Sequence, residues 1–106
     1  MSIKTKVKPL TVAELGHLAG WFKLLGEPMR LKILQSLCQK PLTVNQIVAA
    51  TGSTQANVSK HLALLAAARI LERDKDGQFA YYGIKDKLVF QLCEMVRSQM
   101  GGGRAA

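Results

Sequence analysis

The chain has 106 residues, 48% of them hydrophobic and 21% charged, the balance of one small globular domain rather than a disordered segment or two independent units. Fifteen Lys and Arg against seven Asp and Glu give a formal charge of +8, which favours polyanionic partners. Two cysteines make no disulfide framework, no apolar run approaches the ~20 residues that span a bilayer, and no cationic-then-apolar signal opens the chain, so a cytoplasmic protein with reduced thiols and no membrane partner is expected.

Residues 1–10, which alternate Lys with small or branched side chains, are expected to form a basic mobile arm, and the Gly-rich 101–106 a disordered tail; the folded domain is expected over 11–100. The pentapeptide KPLTV occurs twice, at 8–12 and 40–44. Each copy starts a helix. Thr11 with Glu14 and Thr43 with Gln46 have capping-box spacing, and Leu10 with Leu15 and Leu42 with Ile47 have that of hydrophobic staples. The first helix is predicted over Val12 to Leu25, with Leu15, Leu18, Ala19, Phe22 and Leu25 along one face, and Gly26 ends it. Pro28 suits a first-turn position, so a second helix is predicted from Pro28 to Cys38, with Leu31, Leu34, Leu37 and Cys38 inward. A short third helix, Val44 to Thr51, stops at Gly52. Ser53 or Thr54 caps a fourth, running to about Ala68 with Val58, Leu62 and Leu65 on its core face. Two strands, Leu71 to Lys75 and Gln78 to Tyr82, flank Asp76-Gly77, a pair suited to a type I′ turn. The last helix, Asp86 to about Met100, carries Val89, Leu92, Cys93, Val96 and Met100 as an apolar stripe. The order α-α-α-α-β-β-α, mainly helical with a small β-hairpin, is that of a winged helix-turn-helix.

This arrangement suits double-stranded DNA. A major groove about 12 Å wide admits one helix, whose N-terminal side chains reach base edges. Ser53, Thr54, Gln55, Asn57, Ser59, Lys60 and His61 place donors and acceptors there. Gln55 and Asn57 can pair with adenine, and Lys60 with guanine or phosphate. In the hairpin, Arg73, Lys75 and Gln78 are placed to meet a minor groove or backbone. The plainer alternative makes these residues caps and solvated surface; another makes the domain a protein-interaction module that uses its hairpin. No nucleophile elbow, phosphate loop or metal cluster is evident, and no enzymatic reaction is proposed.

The segments Leu25 to Leu34 (LGEPMRLKIL), Ser59-Lys60-His61-Leu62, and Asp76-Gly77 followed by Tyr81-Tyr82 together resemble the ArsR/SmtB family of bacterial repressors over roughly residues 11–97. The resemblance implies a homodimer built mainly from the first and last helices, bound to a partly palindromic operator and released by an inducer. The stripes at Leu15, Leu18 and Phe22 and at Val89, Leu92 and Val96 exceed what one core needs and fit such an interface. Glu27 stands where the family usually carries Asp, and Val48 where it usually carries a small residue.

The signal is less legible. Family metal sensors often bind through cysteines at the start of the third helix, which here is Leu42-Thr43-Val44-Asn45. A second kind uses carboxylate and histidine ligands of the last helix, where Asp86 stands without a histidine, so no metal or other cofactor is expected. Cys38 and Cys93 read as small buried apolar residues, each in register with an apolar stripe. The alternative is a thiol pair sensing oxidant or reactive sulfur, although the cysteines of thiol-sensing relatives align with Gln35 and Gly101. His17 reads as a surface or dimer-edge residue. Trp21 and Phe22 read as core or interface rather than effector pocket, and His61 as a contact to phosphate or base.

Overall fold

The computed structural model describes residues 6–101; the parts of the expected arm and tail at 1–5 and 102–106 lie outside the described residues. The elements are α1 (Val12–Leu25), α2 (Pro28–Ser36), α3 (Val44–Thr51), α4 (Gln55–Ala67), β1 (Leu71–Asp76), β2 (Phe79–Ile84) and α5 (Leu88–Gln99). Both capping boxes form. Thr11 N–H donates to Glu14 Oε1 (2.8 Å) and Glu14 N–H to Thr11 Oγ1 (3.1 Å), and Thr43 and Gln46 exchange the same pair at 2.9 and 3.3 Å. Two orphan donors are satisfied at each helix start, so KPLTV recurs for a local reason.

The predicted boundaries shift where a cap decides. Helix α2 ends at Ser36, two residues before Cys38, because the Leu37 N–H closes back on the Leu34 carbonyl (3.1 Å) and the Cys38 N–H on that of Gln35 (3.2 Å). Its start is capped by Glu27, whose carboxylate accepts from Arg30 N–H at 3.1 Å. The α5 helix begins at Leu88 rather than Asp86, whose Oδ1 accepts from Leu88 N–H at 3.1 Å. Strand β1 pairs antiparallel with β2, Asp76 opposite Phe79, so the two loop residues are Gly77 and Gln78, one place later than predicted. Of these two loop residues, Gly77 alone, at φ +64°, has positive φ. That is the pattern of a type II′ turn, which needs positive φ at its first central residue alone, whereas type I′ would strain Gln78.

The core joins Ile33, Leu34 and Leu37 of α2 and its cap, Leu42 and Ile47 around α3, Val58, Leu62 and Leu65 of α4, Ile70 and Leu71 at the hairpin entrance, Leu25 and Val89. Leu31, predicted inward, is exposed. Leu42 and Tyr82 exchange two backbone bonds of 3.0 and 2.8 Å, fastening the hairpin to the chain entering α3. Helix α4 ends in a Schellman motif, Ile70 N–H to Leu65 carbonyl and Arg69 N–H to Ala66 carbonyl, with Arg69 at φ +63° where glycine is usual. The left-handed conformation costs an L-residue about 1–2 kcal/mol. It sets the direction in which the hairpin leaves.

Helices α1 and α5 are incompletely used by this core. Leu25, with Trp21 and Leu24 half-buried, anchors α1, and Val89 with Leu92 anchors α5. Leu15, Leu18 and Phe22 stay exposed, as do Leu88, Met95, Val96 and Met100. The radius of gyration, 16.5 Å, accordingly exceeds the ~13 Å of a compact chain this long. Val89 must be removed from the predicted dimer stripe: at 2% exposure it belongs to the protomer's own core.

Candidate nucleic-acid interface

The turn between α3 and α4 is fixed by its own polar side chains. Gly52 caps α3 in the left-handed region at φ +72°, a conformation a β-carbon disfavours. Thr51 Oγ1 donates to Ile47 carbonyl (2.8 Å), Thr54 Oγ1 accepts from Asn57 N–H (3.1 Å), and Asn57 Nδ2 donates to Ser53 Oγ (2.8 Å). Thr54 is therefore the N-cap of α4. Ser53 and Asn57, both half-buried, are partly committed to holding the turn. One Asn57 amide proton and its carbonyl oxygen stay uncommitted by that bond, so its reach toward a base is reduced rather than removed.

With Val58, His61, Leu62 and Leu65 turned inward, α4 exposes Gln55, Ala56, Ser59, Lys60 and Ala63, and beyond them Leu64 and Ala67 near its end. Four of the residues singled out from sequence (Thr54, Gln55, Ser59 and Lys60) thus share the outer surface at the N-terminal end of one helix. Ala56 and Ala63 complete it and were missed because the sequence search sought hydrogen-bonding side chains. The same wheel that puts Val58 and Leu62 inside places them outside, and a β-carbon at that surface can approach a thymine methyl group.

His61 departs from expectation. It is 6% exposed, and its Nδ1 accepts from Arg30 Nε at 3.2 Å while Arg30 Nη1 donates to the Leu24 carbonyl at 3.0 Å. Glu27 Oε2 lies 3.7 Å from His61 Nε2. An accepting Nδ1 leaves the proton on Nε2, toward that carboxylate. Partial burial raises the Glu27 carboxyl, but the backbone N–H groups of Met29 and Arg30, then the His61 and Arg30 side chains, outweigh it and hold the group below its ordinary value. The imidazole is thus an internal joint between α4, α2 and the end of α1, turned away from the outer surface of α4. It is not available to phosphate or base.

The hairpin is two-faced. Alternation along β1 puts Arg73 and Lys75 on the face of buried Leu71, opposite Tyr82 and Ala80, and Glu72, Asp74 and Asp76 on the other, opposite Gly83, Tyr81 and Phe79. Arg73, Lys75 and Gln78 are exposed, Gln78 at the turn. Three carboxylates against two cations mean that the wing is not a basic patch as a whole. Only one of its faces suits a phosphate backbone.

Cys38 and Cys93 are both exposed, which overturns the expectation of buried packing. Cys38 lies beyond the shortened α2, and Cys93, one turn after Val89 on the same side of α5, is left uncovered. Between α1 and the start of α5 a cavity of about 480 Å³ is lined by Leu10, Ala13, Glu14, His17, Leu18, Trp21, Asp86 and Leu88; Phe22 is not among them. Among the described residues no three His, Cys, Asp or Glu converge on a metal position, and no helix is long and apolar enough to cross a membrane.

The sequence pattern described as "Bacterial regulatory protein, arsR family" matches residues 27–73, from the cap of α2 into the wing. The transcriptional regulator KmtR of Mycobacterium tuberculosis is 32% identical over 71 residues, covering 67% of this chain and 55% of the regulator, so the chain spans about half the length of that relative. The arsenical resistance operon repressor of Bacillus subtilis is 33% identical over 87 residues, covering 76% of this chain and 83% of the repressor. The fold is similar to the solution structure of the homodimeric winged helix-turn-helix DNA-binding domain of a Mycobacterium bovis protein described as a possible ArsR-family regulator, with a TM-score of 0.74, 29% identity and coverage of 95% of this chain and 91% of that one. Pattern, relatives and fold agree with the arrangement of α3, the Gly52 turn, α4 and the two-faced wing, and the chain belongs to the ArsR family of bacterial regulatory proteins.

Proposed function

We propose that the protein is a cytoplasmic, sequence-specific transcriptional repressor that binds operator DNA as a homodimer and has no enzymatic activity. The observation that carries this is the outer surface of α4: Gln55, Ala56, Ser59, Lys60 and Ala63 exposed together on a helix whose entry is locked by Ser53, Thr54 and Asn57. Gln55 can offer a paired donor and acceptor to adenine, Lys60 a point charge to guanine or phosphate, and Ala56 a methyl group to thymine. Arg73 and Lys75 would meet the flanking backbone. The unspent apolar faces of α1 and α5 support the dimer, and the homodimeric Mycobacterium bovis domain offers a precedent for it. Titration against DNA from upstream of its own gene, beside scrambled DNA at the same salt, tests the reading. Gln55→Ala is expected to reduce the preference by about 1–3 kcal/mol. Lys60→Ala should weaken binding to both DNAs and, where it neutralises a phosphate, reduce the log–log salt slope by about 1. Equal affinity for both DNAs in the parent protein would end the proposal.

The exposure of both thiols favours a second reading, in which Cys38 and Cys93 report oxidant or reactive sulfur. Peroxide or polysulfide is then expected to lower DNA affinity in the parent and not in Cys38→Ser or Cys93→Ser. An unchanged parent removes this reading and leaves the first intact.

A further inference from the structure

We propose that Arg30 and His61 are positioning residues for DNA binding: neutral His61, held by Arg30 against the end of α1, seats α4 for the groove, and protonation of that imidazole unseats it. The proposal rests on the reading of α4 as the DNA-facing helix.

The geometry is a chain of three links. The Leu24 carbonyl, in the last turn of α1, accepts from Arg30 Nη1 at 3.0 Å; Arg30 Nε donates to His61 Nδ1 at 3.2 Å; and His61 is one residue from Lys60 on α4. One guanidinium therefore ties α1, whose outer face is left for a partner, to the helix whose outer face is left for DNA. The link needs a lone pair on Nδ1. A protonated ring has none, and it would set an N–H against the Arg30 N–H with two positive charges 3.2 Å apart.

One carboxylate offers the charged ring a counter-charge, and its oxygen is already engaged. Glu27, preceding α2, is the carboxylate near the ring, 3.7 Å from Nε2, and the same oxygen, Oε2, already caps α2 at Arg30 N–H. An imidazolium drawing that oxygen closer would pull on the α2 cap while being repelled by Arg30 from the same helix. Helix α3 carries no ionisable side chain, Lys60 beside His61 on α4 is exposed, and among the described residues no carboxylate of β1 pairs with the ring. Protonation therefore shifts α4 relative to α2, and with it Gln55, Ser59 and Lys60.

The sign of the pH dependence separates this role from a phosphate contact. An imidazole touching phosphate binds DNA more tightly when protonated; the Arg30–His61 link weakens. His is the side chain whose ordinary titration falls between about pH 5 and 8, and the only other one here is His17, on α1. The experiment is fluorescence anisotropy on upstream DNA and scrambled DNA at fixed ionic strength, at about pH 8 and about pH 5.5, with circular dichroism on the same samples. Expected is a fall of about tenfold in specific affinity on acidification with helix content retained, the size of one lost charge-assisted bond. His17→Gln should behave as the parent, and His61→Gln, whose carbonyl can accept from Arg30 without titrating, should bind at both pH values without the fall. Nitrogen-15 chemical shifts of the His61 ring in the His17→Gln protein should show an unprotonated Nδ1 at the higher pH and its protonation at the lower. That measurement, with the His17→Gln pH profile, decides the matter even where His61→Gln does not fold. Affinity that rises or stays constant on acidification, a fall accompanied by unfolding, or a fall that persists in folded His61→Gln would each overturn the proposal. Specific binding at pH 8 without the fall removes the link alone; absence of sequence preference at both pH values removes it together with the operator reading.

Discussion

Replacing His61 by Ala is expected to lower the unfolding free energy by about 2–3 kcal/mol, whereas Lys60→Ala, one position away, is expected to change it by less than about 0.5 kcal/mol. The contrast follows from the direction of each side chain. His61 is 6% exposed, and its removal leaves space in the packing between α2 and α4 and takes the acceptor from a guanidinium that then keeps only the Leu24 carbonyl. Lys60 is exposed and has no salt bridge among the described residues, so its loss costs the fold little. In DNA titrations at about pH 8 the pattern should differ: Lys60→Ala weakens binding with an unchanged melting temperature, and His61→Ala weakens it only alongside the loss of stability. Urea unfolding and DNA titration on the same preparations check both. A His61→Ala protein as stable as the parent and defective only in DNA binding would mean that the imidazole faces solvent after all.

The same pair of residues shows what a sequence pattern conveys and what it does not. The boundaries of α1, α3 and the start of α4 were legible because they are local: a Thr three residues before Glu or Gln, and a Gly required at positive φ, act within one turn of helix. The periodicity of Val58, Leu62 and Leu65 likewise fixed which way α4 turns, and from it the exposure of Gln55, Ser59 and Lys60. His61 lies between the apolar stripe and the polar face, and its burial depends on Arg30, 31 residues earlier. Spacing along the chain carries no trace of that partner. The cysteines were misjudged in a related way. Both sit at apolar-stripe positions, yet α2 stops before Cys38, and α5 is anchored only by Val89 and Leu92 near its start, so Cys93, a turn beyond Val89 on the same side, stays exposed. The stripe on α5 mixes two destinations, Val89 for its own protomer and Val96 left uncovered. A periodicity alone does not divide them.

That division leads to the largest expected effect. Leu15→Glu and Val96→Glu are each expected to convert a dimer to a monomer at micromolar concentration and to lower affinity for a two-half-site operator by about 10²-fold or more, since each protomer then binds without the effective concentration its partner supplies. The side chains are 52% and 51% exposed in the protomer, so a charge there disturbs little within one chain. In a homodimer through α1 and α5 the same charge would be carried into an apolar contact by both copies, losing the burial of a half-exposed apolar side chain, about 1 kcal/mol each, before the desolvation of the carboxylate is counted. Leu31→Glu is the internal control. It places the same charge on an exposed leucine of α2, outside the proposed interface, and should leave both association and operator binding unchanged. Sedimentation velocity and titration of one and two half-sites separate the outcomes: the interface variants should bind one half-site as the parent does and lose the gain from the second. Variants that remain dimeric with full operator affinity would place the two-fold contact elsewhere, and the apolar faces of α1 and α5 would then need another occupant.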